Sequence, residues 1–349
     1  MSTKPTPTRH ASPLGHIVLF GLVMVGALPP GSDAQAIRGG KPETQEIPGT
    51  SVSFDIVLLP GGSFALGSPT GEPGRDDDEG PQRALTVEAF WMSTTEVTHE
   101  VFSAFRDRRL DDNVRADPAL PFDADAISRP SPPYEDPAHG MGGTGRPATG
   151  MTRTAALHFA RWLSEKTGRL YRLPTEIEWE YACRAGHDDA FGLGAMSANE
   201  TEAIQTAMSD RAWFGPNSDG SLRDVGTKTP NAWGVHDLQG NAAEWTLHPY
   251  EASLYASLSD TSISEREPST SVRGRGVVRG GAFDDDLHQL RCADRFEETP
   301  AWKRRDPQVP KSRWWNTDSP HVGIRLVSPE GEWSTADITA YWDEILGAN

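Results

Sequence analysis

Only two cysteines, Cys183 and Cys292, occur in 349 residues. They lie far apart, and in a chain that leaves the reducing cytoplasm a disulfide is the default state for such a pair. Basic charge is also short: 33 Lys and Arg stand against 50 Asp and Glu, a formal net charge of −17. Phosphate binding needs a basic surface, so nucleic acid is excluded as the expected partner. Acidic runs such as Asp76, Asp77, Asp78 and Glu79 read first as solvated surface. Long apolar runs are missing too. The apolar stretch Ile17 to Leu28 has about 12 residues against the roughly 20 of a spanning helix, which argues against a membrane anchor. It follows Lys4, Arg9 and His10 and precedes Pro29, Pro30 and small residues, so residues 1–36 are expected to be a signal peptide, cleaved after Ala36 or Ala34. A secreted or periplasmic protein is the consequence.

What is abundant points the same way on architecture. With 34 Gly, 28 Pro and 11 Trp, the composition suggests a loop-rich body held by aromatic packing, not a helical bundle. There is no internal repeat, and one large domain is expected after a flexible lead-in over residues 37–50. Val52, Phe54, Ile56 and Leu58 alternate and then meet Pro60-Gly61-Gly62, which predicts a strand ending in a turn; Ser63 to Gly67 is expected to pair back on it. Thr98 and Thr152 are candidate caps for helices with apolar stripes (Val101, Phe102, Phe105; Ala156, Phe159, Ala160, Leu163). Thr175 and Glu178 have capping-box spacing ahead of a third helix near 176–184. Polar stretches near 108–150, 186–210, 250–275 and 297–320 are long for plain connectors. The tail, 329–349, is expected to carry a capped helix from Ser334 to Leu346.

Several segments, in one order, resemble the sulfatase-modifying-factor (formylglycine-generating-enzyme) family. They include Glu96-Val97-Thr98, Arg146-Pro147, Tyr171 to Arg184 (YRLPTEIEWEYACR), Asn231-Ala232-Trp233-Gly234 leading to Asp237 to Trp245 (DLQGNAAEW), Arg279-Gly280-Gly281, Arg291 to Arg295 (RCADR) and Gly323-Ile324-Arg325. The resemblance spans about residues 51–328. It implies an α+β fold, a single compact loop-rich domain distantly like C-type lectins.

The same resemblance implies a structural calcium ion held by the side chains of Asp237 and Glu244 and the backbone oxygens of Gly240 and Ala242. Two carboxylates around a Gly-Asn turn supply the hard oxygens that calcium favours. Formylglycine-making members use two cysteines in the segment after Arg-Gly-Gly to hold Cu(I), a metal that suits soft thiolates. Here that segment, Ala282 to Leu290, contains no cysteine. Cys292 matches a different position, which in some members pairs with the cysteine matching Cys183, so a Cys183–Cys292 disulfide is implied. Ala282 and Ala243 also stand where active members have Ser and Trp. Copper is therefore not expected.

The segment retains Asp285, Asp286 and His288, weak catalytic candidates that could suggest non-haem iron. An Asp–Arg network bracing a groove is the favoured reading of this region, with Arg279 and Arg295 near it in sequence. Trp314 and Trp315, in a polar loop, are kept as candidate stacking faces for a sugar or peptide. Two functions follow: an extracytoplasmic maturation protein acting on a protein or peptide without copper–cysteine chemistry, or a non-catalytic lectin-like module binding a peptide, glycan or partner protein. Whether the chain is an enzyme stays open, and a monomer is expected.

Overall fold

The computed structural model describes residues 39–111, 129–130, 132–194, 201–258 and 274–347. The expected signal peptide lies outside them. Strand β2 (Ser53–Leu59) forms where apolar alternation predicts it, with Ile56, Val57 and Leu59 buried. β1 (Glu43–Glu46) pairs antiparallel with it, Glu43 opposite Ile56 and Glu46 opposite Ser53. Part of the expected lead-in is therefore a strand. As a sheet edge, β1 keeps its polar side chains in solvent and needs no apolar alternation.

A second correction concerns β3 (Gly62–Leu66). It pairs with β4 (Arg83–Val87), Gly62 opposite Val87, in a separate two-stranded sheet, and not with β2. β2 instead takes β5 (Phe90–Ser93) as neighbour, and β10 (Val327–Pro329) closes the order β1-β2-β5-β10. The other four-stranded sheet runs β8-β7-β6-β9: Phe296–Glu297, Gly276–Arg279, Ala243–Pro249 and Val322–Gly323, with β6 and β9 parallel.

The helices start at their predicted caps. In α1 (His99–Arg106), Thr98 takes the N-cap position without a side-chain hydrogen bond; in α2 (Arg153–Thr167), Thr152 accepts from the Ala155 amide. The box at α3 (Glu176–Arg184) is complete, because Thr175 accepts from the Glu178 amide and Glu178 returns a bond to the Thr175 amide. α4 (Thr201–Arg211) and the short α5 (Leu254–Ser257) follow, and α6 (Thr335–Leu346) begins at Ser334 with its own box through Asp337.

The α2 stripe packs on α1: Phe102, Phe105 and Phe159 meet at ring separations of 5.4 to 5.8 Å. Burying each ring contributes about 1.5–3 kcal/mol. On the other side, α3 turns Glu176 and Glu180, one helical turn apart, inward onto β7. There Arg279 donates to Glu180 at 2.8 Å and to Glu176 at 3.2 Å, and Arg295 donates to Glu176 at 2.6 Å. Cys183 near the end of α3 is bonded to Cys292, with Cα atoms 5.6 Å apart across a sequence separation of 109. The helix is thereby fixed covalently to the segment that follows β7.

Candidate functional site

The turn before β6 is built by three residues in the left-handed region, Asp237, Gly240 and Asn241. Gly240 has no alternative, since a Cβ there would lie 2.3 Å from the Trp213 carbonyl oxygen. Asn241 locks the turn by donating to Glu96 Oε1 at 2.9 Å and accepting from the Arg223 amide. Glu244, inside β6, accepts from Arg325 Nε at 2.8 Å and from Trp179 Nε1 at 2.7 Å. Asp237 Oδ2 accepts from the Gly226 amide at 2.6 Å.

Glu96, Asp237 and Glu244 are all buried; Arg325 acts on all three, and His236 also acts on Asp237. Burial pushes the Glu244 carboxyl up to about 7 despite that guanidinium. Burial, then the neighbouring Asp237, hold Glu96 well above the usual carboxylate range. Glu96 is the member of this group that sequence reasoning did not single out, although it stands in the quoted Glu96-Val97-Thr98 motif.

The segment after Arg279-Gly280-Gly281 is turned in on itself. Asp285 accepts from the Ala282 amide at 2.9 Å, and burial followed by Asp284 raises its carboxyl to about 6. Asp286 is exposed and caps the turn Leu287–Leu290, and the exposed His288 sits against Gly74. The three weak catalytic candidates are thus not gathered into a metal-binding cluster. Among the described residues, converging metal-ligand atoms of three such side chains occur at Asp76, Glu79 and Asp294, where Glu79 is already bound bidentately by Arg291 at 2.6 Å.

What the fold does gather was not legible in the sequence. Met141, Leu222, Ala242 and Phe283 form a small apolar floor that seats the 136–141 loop against the 282–286 segment. Above it, His139 has a left-handed backbone, and its Nε2 lies 2.8 Å from the Thr317 carbonyl oxygen and 2.6 Å from Arg305 Nη2. Arg305 is braced by Asp318 at 2.6 Å. His321 stands edge-on to Trp302, its carbonyl accepts from the Ala243 amide at 2.9 Å, and it feels both the Asp284 carboxylate and His139. Burial is the largest influence on His321 and lowers its pKa, which favours the neutral imidazole near neutrality. Two histidines, a carboxylate and a braced arginine from three separate loops thus form one cluster.

Two expectations about a ligand groove are overturned. Trp314 and Trp315 are each only 4% exposed: His158 packs edge-on to Trp314, and the Phe102 ring covers Trp315 at 6.1 Å. Arg279 and Arg295 are buried in the α3 ion-pair network, with their guanidinium groups spent on Glu176 and Glu180 and not offered to a ligand.

A family model described as the sulfatase-modifying factor enzyme 1-like domain matches residues 43–307, well over half of the chain. The chain belongs to this family. It is 27% identical over 284 residues to the formylglycine-generating enzyme of Streptomyces coelicolor, covering 70% of this chain and 84% of that protein. It is 25% identical over 265 residues to the serine/threonine-protein kinase pkn1 of Chlamydia pneumoniae, spanning 74% of this chain but only 38% of that kinase. Among solved structures, PvdO from Pseudomonas aeruginosa superposes with a TM-score of 0.59 at 24% identity, covering 84% of this chain and 99% of that one. The mixed helix–sheet fold of this family member is therefore that of PvdO. In it, the chain's two cysteines are consumed by the Cys183–Cys292 bond. That bond lies outside the Ala282 to Leu290 segment where the resemblance places copper-binding thiols.

Proposed function

We propose that this member of the sulfatase-modifying factor family acts outside the cytosol in the maturation of a protein or peptide, by chemistry that does not use a copper–thiolate centre. The observation that carries the second half is the disulfide: Cys183 and Cys292 are the only thiols in the sequence, and both are 2% exposed or less and bonded to each other. The cluster of His139, His321, Asp284 and Arg305 is then the proposed substrate-facing surface. A neutral imidazole beside a carboxylate is the arrangement that accepts a proton from a bound group.

Mass spectrometry of extracytoplasmic peptides and proteins from cells lacking the chain, and from cells restored with the native chain or with His321→Ala, tests this. The expected result is a small set of species whose masses change on deletion, recovering with the native chain but not with His321→Ala. No mass difference on deletion would sink the maturation reading and leave a non-catalytic binding module. Full recovery with His321→Ala would remove the cluster from the function.

A further inference from the structure

The chain is strongly acidic, yet residues 303–313 carry five basic side chains, Lys303, Arg304, Arg305, Lys311 and Arg313, against the single acid Asp306. No other eleven-residue stretch holds more than four. With 50 carboxylates to 33 cations, a basic side chain on this surface has partners to spare, and exposed arginines elsewhere take them: Arg109 pairs with Asp107, Arg223 with Asp219 and Arg275 with Glu297. In the 303–313 loop Arg305 does the same with Asp318 and Glu135. Arg304, Lys311 and Arg313 are exposed and, among the described residues, form no ion pair with a carboxylate.

The loop that carries these charges is braced. Asp306 is 4% exposed, and its two oxygens accept from the Gln308 amide at 3.0 Å and from the Ser312 amide. Lys303 Nζ donates to the Ser312 carbonyl at 2.8 Å, while Lys311 Nζ donates to the Asp306 carbonyl and, at 3.5 Å, to the Arg304 carbonyl. The two sides of the loop are thereby drawn together. Arg313 lies over Trp314 and donates to His158 Nε2 at 2.9 Å, which fixes it against α2. Cations held on a braced loop lose little further freedom when a ligand docks.

We propose that the 303–313 loop is a docking surface for an acidic protein segment, whose carboxylates pair with Arg304, Lys311 and Arg313. An anionic bilayer fits less well. It would face the chain's whole acidic body, whereas a short segment lies within a Debye length, about 8 Å, of the loop and feels chiefly these cations. Val309 is exposed at the loop, but one isolated apolar side chain is ordinary surface and does not make a membrane contact. Arg305 of the same loop touches His139, so a docked segment lies beside the His139–His321 cluster. Complementary charge of this kind sets encounter and register more than raw affinity. The inference concerns docking and does not rest on the maturation reading.

The test is fluorescence anisotropy of a labelled peptide of alternating Glu and Gly, titrated with the full-length chain, with the matching peptide of Gln and Gly as control. The Glu peptide is expected to bind saturably, at least about tenfold tighter than the Gln peptide, and to weaken as salt is raised. Arg304→Gln alters a side chain that makes no hydrogen bond among the described residues, and should weaken binding about threefold. The triple variant Arg304→Gln, Lys311→Gln, Arg313→Gln should weaken it at least about tenfold, while Arg109→Gln, outside the loop, should change it less than about twofold. No binding by the native chain, equal binding of the Gln peptide, or a triple variant that binds as the native chain does would each overturn the proposal. Sedimentation with phosphatidylserine vesicles without peptide binding would also overturn it and make the loop a membrane contact. If circular dichroism shows the triple variant unfolded, the salt dependence of the native chain and the Arg304→Gln measurement decide: binding indifferent to both refutes the docking surface.

Discussion

Replacing Arg325 by Met, which keeps much of the volume and removes the charge, tests the electrostatic logic of this core most sharply. The guanidinium donates to Glu244 at 2.8 and 3.1 Å, to the Ser93 carbonyl at 2.8 Å and to the His236 carbonyl at 2.7 Å, with no exposure to solvent. Removing one partner of a buried ion pair costs about 3–5 kcal/mol, because the remaining charge stays desolvated. That is a large share of a typical stability of about 5–15 kcal/mol. Urea unfolding in chelator-containing buffer, with an unchanged m-value as control, measures it. The loss should be smaller at pH 5 than at pH 8. Without Arg325 the Glu244 carboxyl, already at about 7, rises further, and a raised folded-state value contributes stability at low pH that disappears as pH climbs through it. Adding Glu244→Gln to Arg325→Met should recover about 2 kcal/mol at pH 8, since no unpaired charge then remains at that position. A cost below about 1 kcal/mol with no pH dependence would refute the reasoning, as it would mean that Glu244 is solvated or neutral throughout.

Two further outcomes follow. Converting both Cys183 and Cys292 to Ala opens a loop with a sequence separation of 109 and should lower unfolding free energy by about 4–5 kcal/mol in the chain-entropy model, read by urea unfolding. Asp294, raised to about 7 chiefly by burial, favours the fold while protonated, so its contribution is present below its ordinary range and is lost as pH rises through about 7. Asp294→Asn should therefore gain about 1–2 kcal/mol at pH 8 and flatten the pH profile of melting, and a variant less stable at pH 8 would contradict this.

What the sequence discloses here is local order. The capping box of Thr175 and Glu178 sits within four residues, and the helix stands where that box starts it. Ser334 and Asp337 repeat the device at the last helix. Pairing is less legible: β3 joins β4 because of contacts across about twenty residues, and no pattern inside Gly62–Leu66 distinguishes that partner from β2. The burial of Trp314 and Trp315 is hidden from the local sequence for a similar reason. Their neighbours Lys311, Ser312, Arg313 and Asn316 are polar, while the rings that cover them belong to α1 and α2.

The candidate site divides along the same line. The family motif placed Asp237 and Glu244, but Glu96 becomes noticeable only when its second oxygen is found buried and unpartnered. His139 and His321 come from separate loops, and the contacts of His139 with the Thr317 carbonyl and Arg305 bring those loops together. No spacing rule connects them.

The central claim is that this family member has no thiol available for copper. Thiol titration of the unreduced, denatured chain, paired with elemental analysis of the native protein, tests it directly. The disulfide predicts no reactive thiol before reduction, two after it, and no stoichiometric copper. One or two free thiols before reduction, with copper near one per chain, would contradict it and restore thiolate–copper chemistry.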